Sequence, residues 1–357
     1  MSTTSAPEVV QPSSDGSPSW DEGTVVVVGG GISGLASAAA LRASGAEVVV
    51  VDRGRRPGGR LGLRRLEAGG GDERVVDVGA SYFVPRATSF AAVAESWREH
   101  GLAGPWTDTF LALSRDEQGR TTSTPKPGPT RWSAPAGLRS LAEDMAARLA
   151  DEGVAVRRRD VRQVDRGDDG RLTVDGTPCR GVVLALPEPQ AVRLLGRGLG
   201  RETGQLRGRA WTPVITVWAR WTQRWWPEMD GAFVAGSPAV EFVADDGRRR
   251  GDGAAVLVAH STPGLARDHL GDPPATVAPV LSELGDLLGG GRSPAPVESG
   301  AHRWTFARPD GGRPETSWTS GGLGVCGDGW GPRPGLEQAW LSGTELGTRL
   351  AGELAAA

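Results

Sequence analysis

The run TVVVVGGGISGLASAAALRASGAEVVVVD, Thr24 to Asp52, leaves the chain few folds to adopt. Val25 to Val28 form a continuous β-branched strand of the kind buried on both faces of a parallel sheet. Gly29, Gly31 and Gly34 follow in GxGxxG spacing and open directly into a helix that holds Ser33. In such a turn the first glycine permits the tight bend. The second lets a pyrophosphate approach the backbone, and the third lets helix and strand pack closely. Free N–H groups at the helix N-terminus face the phosphates. Asp52 ends the second strand about 18 residues after Gly34, near the ~20 expected of a carboxylate that binds ribose hydroxyls. A dinucleotide site is the expectation, and this stretch alone does not separate NAD from FAD.

Composition narrows the partners. The chain has 357 residues and a net charge of −3, enough for a sizeable core in two domains or one large discontinuous one. Arginines scattered among carboxylates give no one-signed field, so nucleic acid is not an expected partner. Lys126 is the single lysine and Tyr82 the single tyrosine. Cys179 and Cys326 sit in neither a metal-ligand nor a CxxC spacing, so a reduced, metal-free, cytoplasmic protein is expected. Residues 1–22 lack the charged and apolar regions of an export signal and read as a disordered tail. No apolar stretch approaches the ~18 residues that span a bilayer, so no membrane role is expected.

Further blocks extend the pattern. RGRRPGGRLG carries Arg53, Gly58, Gly59 and Arg60 directly after Asp52, and VVDVGASYF supplies Asp77, Gly79, Ala80 and Ser81. LGVCGDGWGPRPGLEQAWLSGTELGTRLA gives a short strand, Gly327-Asp328, a Pro/Gly turn and a helix. In this order the blocks resemble the flavin-containing amine oxidase superfamily, from Thr24 to about Leu350. YFVPRATSF, RWSAPAGLRSLAEDMAARLA, AHRWTFARP and EQAWLSG resemble its renalase-like branch more closely.

That resemblance implies FAD. Gly29, Gly31 and Gly34 would lie under the pyrophosphate, Asp52 on the adenosine ribose, and Arg60 beside the phosphates or flavin edge. Asp328 would bind the ribityl hydroxyls, and Val161 would meet the adenine through its backbone. The N-terminus of the last helix, Leu336 to Gln338, would favour negative charge on the reduced flavin. Each assignment has a plainer counterpart: a solvated surface arginine for Arg60, a turn or N-cap aspartate for Asp328. Ser81 stands where the branch usually has Gln, and Gln338 where Gly usually follows the Glu. Cys326 reads as a small buried strand residue rather than a flavin tether.

The expected fold is α/β: a Rossmann-type FAD-binding domain from 23–85, 130–190 and 297–357, with an inserted antiparallel-sheet substrate domain from 86–129 and 191–296. WTPVITVWARW, GAFVAG and AAVLVAH are its expected strands. His302, Trp304 and Phe306 share a strand face at period two. His302 and Trp304 either face a pocket over the flavin or belong to a core aromatic stripe. Arg86 binds a substrate phosphate or pairs on the surface. Trp330 lines the flavin pocket or packs. His100, His260 and His269 have no motif around them and read as structural or surface residues.

With a single GxGxxG unit, reducing equivalents must arrive as the substrate itself and leave to a small oxidant such as O2. Lys126, in the Pro-rich loop TSTPKPGPT, reads as solvent-exposed, so a lysine-assisted amine site is not readily built. A dihydropyridine needs little help from protein bases. The resemblance implies oxidation of isomeric dihydronicotinamide dinucleotides to NAD(P)+, with hydride passing to flavin N5 and O2 yielding H2O2. The alternatives are an amine or other C–H oxidase on the same fold, and a non-catalytic FAD-binding protein.

Overall fold

The computed structural model describes residues 20–67, 73–116, 118, 120–291 and 293–356. Described residues up to Gly59, with Ser140–Ala210 and those from Pro309 on, form one compact unit; Arg60–Arg139 and Trp211–Arg308 form a second. Among the described residues no helix is long and apolar enough to cross a membrane.

The first unit is built on the opening motif. Strand Thr24–Val28 is buried along its whole length between two parallel neighbours, Glu47–Asp52 and Gly181–Leu184. The six-stranded sheet runs Trp318–Ser320, Leu323–Val325, Gly181–Leu184, Thr24–Val28, Glu47–Asp52, Ala155–Arg158, all parallel except the first strand. A parallel strand covered on both faces has no solvent side, which is why the three central strands, Gly181–Leu184, Thr24–Val28 and Glu47–Asp52, are built on runs of valine. A small antiparallel sheet of Val164–Arg166, Leu172–Val174 and Thr177–Cys179 adjoins this core.

Helix Ile32–Ala43 packs on helix Leu336–Ala356 at backbone distance. A Cβ on Gly343 would collide with the Ser33 carbonyl, and one on Gly347 would meet the Ser37 carbonyl and lie 2.8 Å from the Ala40 Cβ. The expected N-terminal tail lies outside the described residues as far as residue 19, and its last part differs from expectation. Trp20 is buried in the first unit's core beneath the Arg159 guanidinium, 4.7 Å from the ring centroid. An indole buries too much apolar surface to be left in water beside an open core edge.

The second unit is a seven-stranded sheet in the order Glu298–Pro309, Trp211–Arg220, Val256–Ser261, Val240–Asp245, Gly231–Ala235, Gly104–Arg115, Thr121–Ser133. One face carries Ile215, Val217, Val243, Leu257 and Ala259 against Val280, Leu284 and Leu287 of helix Val277–Gly289. The other carries Val256 and Val258 against Leu66, Val76 and Val78, where the ribbon Leu63–Glu67/Glu73–Asp77 lies, and an aromatic group of Tyr82, Phe110, Phe233 and Phe242.

Two features of the second unit also depart from the sequence reading. The sheet is not wholly antiparallel: Gly231–Ala235 runs parallel to Gly104–Arg115. The chain passes through the first unit between these strands, so no hairpin forces them antiparallel. The Pro-rich segment expected to be a loop is the edge strand Thr121–Ser133. Pro125, Pro127 and Pro129 recur at period two, so all three can place their missing N–H groups on the outer side of the edge. That arrangement also discourages edge-to-edge pairing.

The helix contact predicts opposite effects for two glycines of one helix. Gly343→Ala is expected to lower stability by about 1–3 kcal/mol, since the carbonyl it meets belongs to a packed helix. Gly352→Ala, with nothing within 4 Å, is expected to raise it by about 0.5–1 kcal/mol. Urea midpoints of the two variants check this, and equal shifts would refute the close-contact account.

Candidate active site

The three glycines of the GxGxxG spacing divide into two the protein needs and one it does not. Gly29 has φ +114°, and a Cβ there would lie 2.6 Å from the Ala185 carbonyl. A Cβ on Gly34 would collide with the Gly29 carbonyl. Gly31 differs: its backbone is extended, φ −82° and ψ 177°, and an added Cβ would meet nothing nearer than the Gly59 Cα at 4.0 Å. The Gly31 and Gly59 backbones lie close together, and the place where a Gly31 side chain would stand is left unfilled by the fold itself. Gly31 is also the N-cap of helix Ile32–Ala43, with no side-chain cap and no acidic residue in its first turn. Such a terminus is poised for an anion.

Asp52 is partly committed to the turn. Its Oδ2 accepts from the Gly30 N–H and its Oδ1 from the Gly54 N–H, both at 2.6 Å. A carboxylate has about four lone-pair sites, so acceptor capacity for a ribose is left. Arg53 beside it is exposed, and Val161 is buried in the link between Ala155–Arg158 and Val164–Arg166.

The C-terminal block follows strand Leu323–Val325. Cys326 is fully buried, with its thiol directed at the Ser33 carbonyl, and burial pushes it up to about 12, so it is no nucleophile. The Gly327 N–H donates to Ser342 Oγ at 3.0 Å, and Asp328 is buried. Sequence reading missed what holds this loop. Arg209 donates to the carbonyls of Gly329 and Gly311, and Glu188 lies 3.6 Å from Arg209 and 3.5 Å from Arg313. The Arg313 guanidinium covers the Trp330 ring at 4.3 Å. These residues lie far apart in sequence, and no local pattern announces them.

Gln338 is buried against Gly331, where a Cβ would collide with its amide. Among the described residues the Gln338 Nε2 and the Trp330 Nε1 have no hydrogen-bond partner although both are shielded from solvent. The unfilled place beside Gly31, the uncapped helix and these orphaned donors fit a bound dinucleotide.

In the second unit the segment 60–62 is pinned to 78–80. Val78 and Gly79 donate to the Gly62 carbonyl at 2.9 and 3.0 Å, and Ala80 donates to that of Arg60 at 3.2 Å. A Cβ on Gly79 would collide with the Arg60 carbonyl. Arg60 is no solvated arginine: its Nη1 donates to the Ala307 carbonyl at 3.1 Å and its guanidinium lies 5.2 Å from the Trp211 ring centroid. Trp304 braces the same place, its Nε1 donating to the Val78 carbonyl at 2.7 Å and its ring crossing Gly62. The expected face is present, with His302 and Trp304 rings 4.4 Å apart in strand Glu298–Pro309. Arg86 is exposed just before helix Thr88–Glu99. Ser81 is buried, and its Oγ has no partner among the described residues.

A buried ion cluster that the sequence reading did not find fixes this block. Asp77 Oδ1 accepts from the Leu138 N–H at 3.0 Å, while its Oδ2 takes Arg250 at 2.8 Å and Arg249 at 3.2 Å. Asp246 in turn pairs with Arg249, with Arg250 at 3.0 Å and with Arg74 at 2.7 Å. Arg249 also donates to the Ser81 carbonyl at 2.7 Å. No motif marks the run Gly247–Arg250 in sequence, and only the fold encloses the side chains of Arg249 and Arg250.

The opening βαβ turn and its open cradle define a dinucleotide-binding α/β protein. The profile of the NAD(P)-binding Rossmann-like domain matches residues 27–97, and that of the flavin containing amine oxidoreductases matches residues 89–313, more than half of the chain. The chain belongs to the flavin containing amine oxidoreductase family, so it is an FAD-dependent oxidoreductase. A short segment of 57 residues is 46% identical to lysine-specific histone demethylase 1 homolog 1 of Arabidopsis thaliana, covering 16% of this chain and 7% of that protein. The fold is similar to that of cyclohexylamine oxidase from Brevibacterium oxydans IH-35A, with TM-score 0.74, 16% identity, 94% of this chain and 100% of that one. It is also similar to putrescine oxidase bound to putrescine, with TM-score 0.70, 18% identity, 94% of this chain and 99% of that one.

Two outcomes test this geometry. Gly31→Ala is expected to fold as stably as the parent within about 0.5 kcal/mol and to retain FAD about ten-fold less tightly or worse, read by urea midpoint and flavin release. A loss of folding instead would mean that the protein, not a ligand, requires that glycine.

The second concerns His302, which burial and then Arg64, Arg139 and Arg303 push down to about 4. A base whose pKa is depressed by folding stabilises the fold above its unfolded value of about 6.5, and that contribution is lost as pH falls towards 4. Between pH 7 and pH 5 the urea midpoint of His302→Asn is expected to fall less than that of the parent. Parallel declines would refute the neutral-His302 account.

Proposed function

We propose that this chain is an oxidase that takes hydride from a reduced, phosphate-bearing small molecule, with isomeric dihydronicotinamide dinucleotides as the substrate class and O2 as acceptor. The observation that carries this reading is the charge around the candidate substrate residues of the second unit. His302 is held neutral by burial and then by Arg64, Arg139 and Arg303. His260 is pushed down to about 4 by burial and then by Arg308, with Arg249 adding to it. Arg308 is paired with Glu241 and Arg249 with Asp77 and Asp246, so it is the guanidinium groups around His302 that would disfavour an ammonium substrate and attract a phosphorylated one.

Bound FAD supplies the hydride-accepting chemistry. Within the first unit, Gly29, Gly31, Ser33 and Gly34 would hold the pyrophosphate at the helix N-terminus, with Gly59 opposite. Asp52 and Arg53 would meet the adenosine ribose, and Val161 the adenine. Gly327, Asp328 and Gln338 would meet the ribityl chain and ring. Within the second unit Arg60, Gly79, Ala80 and Ser81 would meet the flavin, and His302, Trp304 and Arg86 would position substrate.

Loss of hydride leaves a dihydropyridine aromatic and cationic, with no proton to remove from it. Placement and field can therefore serve where a base is lacking. O2 with that hydride and a solvent proton gives H2O2, and the cytoplasm is the proposed location. A second reading, oxidation of an amine, has the aromatic group in its favour: Tyr82 lies 5.4 Å from Phe110 and 6.2 Å from Phe242, and a cation, the Arg131 guanidinium, already rests against Tyr82 and the buried Phe110.

Anaerobic titration of the flavin spectrum separates them. Bleaching by borohydride-reduced NAD, which contains the unusual isomers, with no response to pure ordinary NADH, is the expected result. Bleaching by putrescine or another primary amine would overturn it in favour of amine oxidation.

A further inference from the structure

One cation of the second unit is buried with no acid to answer it. Arg131 is only 5% exposed. Its guanidinium lies 3.9 Å from the Phe110 ring centroid and 5.6 Å from that of Tyr82, and its Nη1 donates to the Asp108 carbonyl at 2.9 Å. Its Nε has no hydrogen-bond partner among the described residues. The Asp108 carboxylate takes the Thr109 hydroxyl at 2.8 Å instead, and Arg131 forms no ion pair among the described residues. Ring faces offset part of the cost of drying a cation, yet they carry no net charge to cancel it.

Lys126, the single lysine, stands on the same face. It is opposite Phe110 across the strand pair Gly104–Arg115 and Thr121–Ser133, and opposed residues share a sheet face. Its ammonium is 5.7 Å from the Phe233 ring centroid, and the Phe233 and Phe110 rings are 5.5 Å apart. Lys126 too has no ion pair among the described residues. Two positive charges therefore border one aromatic row.

Arg131 is also reachable. The register of the two strands shifts between Thr107 and Thr109, and Gly128 lies in the loosened stretch across from them. Gly128 is exposed, and a Cβ there would stand 3.2 Å from Arg131 Nη2, with the guanidinium supplying its three nearest atoms. The missing side chain thus leaves the guanidinium uncovered towards solvent. An ammonium ligand is repelled from such a place. A carboxylate brings one negative charge to two positive ones, whereas a pyrophosphate bridge brings two and offers paired oxygens to the planar guanidinium.

We propose that Arg131 and Lys126 bind the pyrophosphate of the substrate at the edge of the second unit's sheet. This rests on the dinucleotide reading above, and it makes the aromatic group part of an anion site instead of an amine site.

The test uses FAD-loaded protein, so that the cofactor's own phosphate site is filled, with inorganic pyrophosphate as the probe at constant ionic strength. Calorimetry on the parent is expected to show pyrophosphate binding. Lys126→Met, which removes one charge, and Gly128→Val, which covers the guanidinium and alters no charge, are each expected to weaken it about ten-fold. Both positions are exposed, where substitutions seldom disturb folding. In the parent, pyrophosphate is also expected to raise the concentration of borohydride-reduced NAD that gives half the limiting rate of anaerobic flavin bleaching.

No pyrophosphate binding by the parent, or binding left unchanged in either variant, overturns the site. Binding that both variants weaken, with no effect on the half-rate concentration, marks a site for free anions and overturns the substrate role. If reduced NAD does not bleach the flavin at all, the oxidase reading falls and takes the substrate role with it, while calorimetry still decides the anion site.

Discussion

The first unit depends on one contact between backbones. Gly343 and Gly347 let helix Leu336–Ala356 lie against Ser33 and Ser37 of helix Ile32–Ala43 without side chains between them. The Cys326 thiol touches the same Ser33 carbonyl, and Ser342 of that helix anchors the Gly327 N–H. The glycine turn near one end of the chain and the Gly-Asp turn near the other are thereby fixed on a single helix pair. Neither turn could set the position of the other alone, because each is a loop whose backbone groups need partners from outside it. Larger residues at 343 or 347 would separate the two turns along with the helices.

The second unit solves a similar problem with charge. Its block 77–81 is a short irregular strap, and its carbonyls and N–H groups are claimed one by one: by Gly62, by Trp304, and by Arg249. Arg249 is enclosed, and burial lowers it to about 10, yet it stays charged at neutral pH between Asp77 and Asp246. A buried pair of this kind is weak grounds for stability, since desolvation offsets much of the attraction. What it does supply is definition, because removing any one member strands the others' charges. Asp77, which the sequence placed in a flavin block, is therefore first a structural anchor for the residues after it.

These two devices also explain what could be read from the sequence. The βαβ start is legible because valine runs, glycine spacing and a terminal acid are local consequences of a buried parallel strand meeting a helix. The strand 298–309 is legible because its faces alternate. The Pro-rich segment 121–133 is not: proline opposes strand formation except where its missing N–H points away from the sheet, and that depends on which strand ends at the edge. His260 is hidden for a comparable reason. It stands opposite Thr216, some forty residues earlier in the chain, and register is set by the whole sheet rather than by either strand. Trp20 is masked by the polar composition around it, although one indole is enough to tie down a segment.

Arginine supplies almost every cation of the chain, and this shapes the chemistry open to it. The single lysine, Lys126, is exposed on the edge strand, 5.7 Å from the Phe233 ring. A lysine in a dry site can shed its proton and become a base, whereas a guanidinium keeps its charge. Arg249 shows the limit here, still protonated at neutral pH although its side chain is almost wholly shielded from water. The guanidinium groups that act on His302 and His260 keep their charge over the whole physiological range, Arg249 between two carboxylates and Arg308 against Glu241, and the histidines, already neutral, add no titration there. A site built this way cannot be tuned by proton uptake from those groups. Its selectivity has to come from fixed charge and fixed hydrogen-bonding groups, which suits a reaction whose substrate brings its own driving force.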